Sequence, residues 1–349
     1  MRRIVLLLTF LLIFSSSAIA ADPDCYRGKL GQSQILIAAP ANYNKKMLIL
    51  AHGLRTEAMP VTAEINLQEQ FYKKLLAEGW LIASTSYRRN GVIIDEAIED
   101  LLQLREFAME KYGRPRKLYL AGISMGGAIG ARMAETCKGK FDGILCIGAA
   151  LSLAPNLSGN PAMPLLFLSN RSEAEGPKAY IDGLKDKAVR PALWVVGRDG
   201  HCNVNDEERR AAFRALIAYA EKGAVAFNRG ITIVQAPATS DAVFKDGGAS
   251  APVKWIDPVY GNLYTRFVPA DFEKLGIKQG DTFMLRFNRK DYKVLLGITY
   301  SDVPKGGLVA FFWHDGKLQI ARNLMNAAEM LGCTAGDRLF VKLQTAGNH

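Results

Sequence analysis

The stretch between residues 117 and 127 contains a serine in a setting that would make it reactive. An apolar run typical of a β-strand ends in Gly122-Ile123-Ser124-Met125-Gly126, and a segment rich in small residues with helical character follows. Such a turn holds its serine in a strained backbone conformation, so the residues two before and two after it must be nearly free of side chain. The pattern G-x-S-x-G between a strand and a helix therefore predicts Ser124 as a nucleophile. Its hydroxyl would lie at a helix N-terminus, where negative charge is favoured.

The elements that must position this serine alternate along the first two thirds of the chain. Continuous apolar runs are typical of buried parallel strands, and the amphipathic segments between them predict helices. The predicted strands cover residues 34–39, 47–51, 80–86, 117–122, 141–148, 164–169 and 192–196, and the clearest predicted helices cover residues 66–79, 92–112 and 205–222. This alternation predicts an α/β fold with a doubly wound, mostly parallel sheet. Its ligand crevice should lie at the carboxyl ends of the strands.

Residues 30–223 resemble the α/β-hydrolase family. The resemblance is carried by Gly122-Ile123-Ser124-Met125-Gly126 and by His52-Gly53 directly after a predicted strand. In that family the nucleophile, the acid and the histidine follow one another in the order Ser, Asp or Glu, His. The family's usual cap over the site is nearly absent, because only residues 151–162 could form one. An open, shallow site is therefore implied.

Four histidines compete for the role of general base. His52 precedes the nucleophile, His314 lies beyond the hydrolase part, and His349 is the last residue. The resemblance places the base in a loop that leaves the last strand, which is where His201 lies. We expect His201 to take the proton of Ser124 and to return it to the leaving group.

Three carboxylates are candidates for the acid that orients the histidine, and Glu173 is our choice among them. The family usually places an aspartate a few residues past the strand at 164–169, and Glu173 is nearest to that position. Asp199 is the alternative, although a neighbour two residues from His201 in a tight loop would have difficulty reaching that imidazole's Nδ1. Glu175 is the third candidate.

The resemblance also implies an oxyanion hole, which needs backbone donors aimed at the tetrahedral intermediate. The N–H of Met125 would supply one donor and the N–H of Leu54 the other. Cys202, directly after the expected base, resembles the tannase and feruloyl-esterase branch, in which a disulfide joins the neighbours of the catalytic serine and histidine. Because Ile123 precedes the serine here, that bridge cannot form.

The N-terminus predicts export. Arg2-Arg3, an apolar run over residues 4–14 and the small-residue site Ala18-Ile19-Ala20 are typical of a cleavable signal peptide covering residues 1–20. We therefore expect a secreted or periplasmic protein with no membrane span after cleavage.

Charge and cysteine content narrow the range of partners. A net charge of +10 suits an acidic substrate or a polyanionic surface, but the basic residues are scattered singly, so no nucleic-acid partner is expected. The five cysteines cannot all pair within the chain, and there is no CxxC motif. We expect neither a metal nor a cofactor.

The pattern changes after residue 223. Residues 224–252 are rich in Ala, Gly, Ser and Pro and are predicted to link a hydrolase domain, residues 21–223, to an accessory domain, residues 253–349. Short β runs separated by turns predict a small antiparallel β-barrel for the accessory domain.

The accessory domain resembles the C-terminal barrel of the S-adenosylmethionine hydroxide adenosyltransferases and halogenases. The resemblance is carried by residues 255–265, 299–303 and 314–323. In that family the barrel helps to hold adenine at a subunit interface, which implies ligand-binding roles for Asn262 and Arg322. The family's catalytic N-terminal domain is missing, and His314 stands where the family tends to have serine.

These observations predict an exported serine hydrolase that cleaves a carboxylic ester through an acyl-enzyme on Ser124. Its partner would be a small-molecule ester. A serine peptidase remains an alternative, since the same groups attack amides. So does a non-catalytic module that binds a nucleoside or S-adenosylmethionine on a hydrolase scaffold. The barrel could serve packing, substrate recruitment or assembly of a homo-oligomer, and specificity for the acyl and alcohol groups is not predicted.

Overall fold

The computed structural model describes residues 22–186 and 188–344. The predicted signal peptide, residues 1–20, lies outside the described residues. Among the helices of the described part, none is both long and apolar enough to span a membrane.

The N-terminal part of the chain forms a nine-stranded sheet flanked by helices. Its strands are β1 Asp24–Leu30, β2 Ser33–Ala39, β3 Lys46–Ala51, β4 Leu81–Thr85, β5 Lys117–Ile123, β6 Gly143–Ile147, β7 Leu165–Asn170, β8 Ala192–Val196 and β9 Asn228–Ile231. Its helices are α1 Gln70–Ala77, α2 Ile94–Tyr112, α3 Met125–Thr136, α4 Glu175–Asp182 and α5 Asp206–Lys222.

The strand order is β1-β2-β4-β3-β5-β6-β7-β8-β9. All neighbours from β4 to β9 are parallel, while β2 is antiparallel to both β1 and β4. Helices α2 and α3 bury Leu101 and Ile129 on one face, and α1 and α5 bury Phe71 and Phe213 on the other. The predicted doubly wound, mostly parallel sheet is confirmed, and β5 lies at its centre.

The C-terminal part forms a closed barrel. Its strands are β10 Val243–Lys245, β11 Gly248–Ile256, β12 Leu263–Thr265, β13 Thr282–Phe287, β14 Lys290–Leu296, β15 Leu308–Phe312, β16 Leu318–Arg322 and β17 Arg338–Leu343, with helices α6 Pro269–Lys274 and α7 Ala327–Leu331. Seven strands close the ring because β17 pairs back onto β11, and β10 extends the sheet outside it. The pairs are antiparallel as predicted, except that β14 and β15 run parallel.

The predicted linker at residues 224–252 is largely structured. β9 adds to the hydrolase sheet beside β8, and β10 and the first half of β11 belong to the barrel sheet. Ala249 and Ala251 are fully buried, and a Cβ on Gly248 would lie 2.5 Å from the carbonyl oxygen of Val341. Small residues here therefore allow tight packing in the barrel wall, and residues 232–242 are the longest run of the segment without helix or strand.

The close approach of backbone around Ser124 can be tested by adding one methyl group. A Cβ on Gly126 would overlap the carbonyl oxygen of Ala51, so we expect Gly126→Ala to lower the free energy of unfolding by at least about 1–3 kcal/mol. Gly176 in α4 is the matched control. A Cβ there would have no neighbour within 4 Å, and Gly176→Ala should be neutral or slightly stabilising. Urea denaturation of both variants measures the difference, and equal stabilities would contradict the packing argument.

Candidate active site

The turn between β5 and α3 holds Ser124 in a conformation that side-chain-bearing residues rarely adopt. Its φ is 56° and its ψ is −116°, and its N–H donates to the carbonyl oxygen of Ile147 at 2.9 Å. The helix that follows packs closely because glycine faces the sheet. A Cβ on Gly127 would lie 2.8 Å from the Cα of Ala149. The serine side chain is thereby presented at the N-terminus of α3, at the carboxyl edge of the sheet.

His201 lies between this serine and a carboxylate. Its Nε2 is 2.8 Å from the Oγ of Ser124, and its Nδ1 is 2.6 Å from the Oε2 of Glu173. With the proton on Nδ1, the imidazole donates to Glu173 and accepts the hydroxyl proton of Ser124 at Nε2. The three residues thus have the contacts of a nucleophile, a base and an orienting acid.

Of the three candidate acids, the structure brings only Glu173 to the imidazole. The other oxygen of Glu173 accepts the backbone N–H groups of Asn170 at 3.1 Å and Cys202 at 3.2 Å, which fixes the carboxylate. Asp199 instead binds the guanidinium of Arg171, at 3.0 and 2.5 Å. Glu175 is exposed in the first turn of α4.

A buried asparagine joins the loop of the acid to the loop of the base. Asn170, at the end of β7, accepts the backbone N–H of Asn203 at 2.7 Å and donates to its carbonyl oxygen at 2.8 Å. The hydroxyl of Ser172 accepts the N–H of Gly200 at 2.9 Å. These contacts, which the sequence did not reveal, hold His201 at a fixed distance from the end of β7.

Cys202 lies close enough to the imidazole of His201 to change its pKa. It has a positive φ of 55°, and its Sγ lies 3.7 Å from the Nε2 of His201. The pKa of His201 is raised above its ordinary value, first by its electrostatic interaction with Cys202, against the opposing effect of burial, and further by its hydrogen bond to Glu173. The base therefore holds a proton more strongly than a free histidine does.

The loop after β3 contains Leu54, the residue predicted as the second oxyanion donor. Leu54 lines the site, and the ring of the preceding His52 contacts the carbonyl oxygen of Gly53 at 2.7 Å. Because a trans peptide points its N–H away from its C=O, the N–H of Leu54 faces away from that ring. Met125 is the first residue of α3, so its N–H has no acceptor within the helix.

The contacts of His52 indicate a structural role. Its ring stacks on Tyr87 at 4.0 Å and contacts carbonyl oxygens at both nitrogens. Burial lowers the pKa of His52 to about 3, so it stays neutral and orders the loop.

Glu173, His201 and Cys202 are also the set of side chains in the described residues that could bind a metal ion together, since their donor atoms lie within 4.8 Å of one another. However, the carboxylate and the imidazole are hydrogen-bonded to each other at 2.6 Å. A metal would have to replace that bond with two separate ligand bonds of about 2 Å. The arrangement fits a proton relay better than a metal centre.

The cavity at Ser124 has walls from both parts of the chain, and the expectation of an open, shallow site did not include the second wall. Ser124 faces a cavity of about 540 Å³, and the C-terminal barrel forms the opposite wall. The expectation considered only a cap inserted within the hydrolase part, whereas here the appended barrel forms one wall of the cavity.

Both predicted barrel residues, Asn262 and Arg322, line this cavity. His314 is placed outside it, with its Nδ1 3.4 Å from the side-chain oxygen of Gln235. The sequence analysis missed the aromatic lining, which consists of Tyr260, Tyr264, Tyr300 and Trp313. Three of these rings lie within the segments 255–265 and 299–303 that carry the barrel resemblance, so their density there was the available signal.

The influence of Cys202 on the base can be measured directly. Cys202→Ala removes the main contribution that raises the pKa of His201, so we expect the titration midpoint of this histidine to move to lower pH. The neutral form, which can accept the serine proton, would then persist to lower pH. Nitrogen-15 NMR titration of the histidine rings measures the midpoint. Cys25→Ala, on the exposed β1 strand, should leave it unchanged, and equal midpoints in both variants would contradict the assignment.

Comparisons with known proteins agree with this two-part organisation. A family model described as serine aminopeptidase, S33, matches residues 85–215, and one described as the S-adenosylmethionine hydroxide adenosyltransferase C-terminal domain matches residues 251–340. No curated protein sequence matches the chain significantly.

Similar solved structures include a dienelactone hydrolase from Anabaena variabilis, with 13% identity, a TM-score of 0.42, and coverage of 57% of this chain and 98% of that one. Est1E from Butyrivibrio proteoclasticus gives 13% identity, a TM-score of 0.42, and coverage of 56% and 99%. An uncharacterized conserved protein from Thermotoga maritima is 23% identical with a TM-score of 0.28, and the match covers 36% of this chain but only 49% of that protein. The first part of the chain is thus similar to hydrolases of the α/β type, and the second part to the C-terminal domain of S-adenosylmethionine hydroxide adenosyltransferases, as the sequence indicated.

Proposed function

We propose that this protein is an exported serine hydrolase that cleaves a carboxylic ester through an acyl-enzyme on Ser124. The observation that carries the proposal is the pair of hydrogen bonds made by His201, 2.8 Å to the serine hydroxyl and 2.6 Å to Glu173. The matching family model, described as a serine aminopeptidase, supports a hydrolase. Export rests on the sequence of residues 1–20 alone.

In the first half-reaction the Nε2 of His201 takes the hydroxyl proton while the Oγ of Ser124 bonds to the ester carbonyl carbon. The carbonyl oxygen becomes an oxyanion, which the N–H groups of Met125 and Leu54 would stabilise. Glu173 stabilises the imidazolium. The C–O bond to the alcohol then breaks, and the alcohol leaves with the proton from Nε2.

In the second half-reaction a water molecule replaces the alcohol. His201 takes one of its protons, and the resulting hydroxide attacks the acyl carbon. The bond to Ser124 breaks, its oxygen regains the proton from Nε2, and the carboxylic acid is released. The enzyme returns to its starting state without a cofactor in any step.

A serine peptidase is the second candidate, because the family model that matches residues 85–215 is described as an aminopeptidase. The same chemistry would then act on an amide. Rates on p-nitrophenyl esters of increasing acyl length, compared with rates on aminoacyl p-nitroanilides, separate the two. Faster turnover of the anilides would favour the peptidase.

The nucleophile can be identified by covalent labelling. We expect a fluorophosphonate probe to label the wild-type protein on Ser124 and to leave Ser124→Ala unlabelled, because only an activated hydroxyl reacts at a useful rate. Ser301 is another serine that lines the cavity, and Ser301→Ala should still be labelled. If the wild-type protein is not labelled, the non-catalytic alternative is favoured.

The choice of acid is tested by two carboxylate-to-amide substitutions. Glu173→Gln keeps the shape but loses the charge that orients and stabilises the imidazolium, so we expect kcat to fall by about 10³- to 10⁴-fold. Asp199→Asn removes a carboxylate that pairs with the exposed Arg171 and should change kcat little. Steady-state hydrolysis of p-nitrophenyl butyrate gives both values. A comparable loss in the two variants would show that the acid is wrongly assigned.

A further inference from the structure

The two parts of the chain supply different chemistry to the cavity. The strand ends of the hydrolase part supply Ser124, His201 and Cys202 but no Phe, Tyr or Trp side chain to the lining. Four Tyr and Trp side chains line the cavity, and all come from the barrel: Tyr260, Tyr264, Tyr300 and Trp313. We call these four residues the ring wall.

The ring wall begins beside the nucleophile. Tyr260 and Ser124 both approach Gly53. A Cβ on Gly53 would lie 3.7 Å from the hydroxyl oxygen of Tyr260 and 3.3 Å from the Cβ of Ser124. The side chain of Asn203, two residues after the base, donates to the carbonyl oxygen of Phe312 in β15 at 3.3 Å. The barrel therefore packs directly against the loops that carry the reactive groups.

A largely buried amide whose acceptor is unused lines the cavity beside the ring wall. Asn262 is only 6% exposed, and its Nδ2 donates to the hydroxyl of Tyr300 at 3.5 Å. Its Oδ1 makes no hydrogen bond to any described residue. This oxygen is therefore free to accept a hydrogen bond from a molecule in the cavity.

Arg322 adds a cation with open donors. Its Nε donates to the carbonyl oxygen of Gly306 at 2.9 Å, and no carboxylate of the described residues lies within 4 Å of its guanidinium. By contrast Arg209, the other arginine of the lining, is paired with Glu69 at 2.5 Å. A guanidinium whose two Nη groups make no hydrogen bond to a described residue is suited to a carboxylate or phosphate.

Asp257 is the remaining acid of the lining, and it does not neutralise Arg322. One of its carboxylate oxygens accepts the backbone N–H groups of Val259 and Tyr260, both at 2.8 Å. The charged side chains that most influence the pKa of Asp257 are Glu64 and Arg55, both of the hydrolase part.

We propose that the barrel is the specificity half of this site. It binds the part of the ester that carries an aromatic ring and a negative charge, with the ring against the ring wall and the charge at Arg322. The inference rests on the proposed function and adds a substrate class to it, esters of anionic aromatic compounds. The chain's net charge of +10 would also draw such a substrate toward the protein.

Binding to the full-length Ser124→Ala protein tests this inference without turnover. The probes are two matched pairs, benzoate with benzamide and hexanoate with hexanamide, measured by isothermal titration calorimetry. We expect benzoate to bind tightest, and about tenfold or more tighter than benzamide, because a carboxylate can pair with Arg322 and a neutral amide cannot. In the wild-type protein, benzoate should protect Ser124 from the fluorophosphonate, which locates the binding in the cavity.

Arginine variants then assign the charge recognition. Arg322→Gln should remove the preference for benzoate over benzamide, and Arg322→Lys should retain part of it. Arg286→Gln is the matched control, since it removes the same charge from an exposed position of β13. It should leave the preference intact.

Several results would overturn the inference. Equal affinity for benzoate and benzamide, or equal effects of the Arg322 and Arg286 variants, would exclude the anion site. Equal affinity for hexanoate and benzoate would exclude the ring wall as a recognition surface, and binding of adenosine without binding of benzoate would indicate a nucleoside site. Ester turnover by the wild-type protein would survive any of these results, whereas benzoate binding without turnover would reject the proposed function alone.

Discussion

Everything at the site depends on how closely separate pieces of backbone approach one another around Ser124. Gly126 lies against the carbonyl group of Ala51 at the end of β3, and Gly127 lies against Ala149 after β6. A side chain at either position would push α3 away from the sheet. The absence of side chains brings the ends of three adjacent strands together, and the strained serine follows from that packing.

The base and the acid come from the next two strands, β7 and β8, whose carboxyl ends are adjacent because the strands are parallel. Residues 28 positions apart in sequence thus meet at 2.6 Å. Asn170 holds the two loops together through the backbone of Asn203, so the position of His201 is set by strand order and by one buried amide. The site is a property of the sheet edge more than of any single loop.

Local sequence was sufficient to predict those elements whose structure depends on interactions between residues close together in the chain. The G-x-S-x-G turn, the apolar strands and the long helices have short-range signatures, and they predicted the fold of the first part. The polar strand β1 has no such signature, because it is largely exposed and pairs with only one neighbour. The small residues at 248–252 suggested a flexible linker, although small side chains also permit dense packing, as Gly248 and Ala251 show.

Contacts between distant segments could not be predicted in the same way. The choice among Glu173, Asp199 and Glu175 depends on which loop faces the imidazole, so the family pattern favoured Glu173 but kept two alternatives. The barrel wall of the cavity depends on how the two parts of the chain pack, so neither the cavity nor its aromatic lining followed from spacing. The closure of the barrel, in which β17 returns to β11, has an evolutionary consequence. A ring of strands that satisfies its own backbone can accumulate changes on its outward loops without disturbing the parallel sheet. Related proteins could therefore diverge in what they accept while inheriting the same reactive centre.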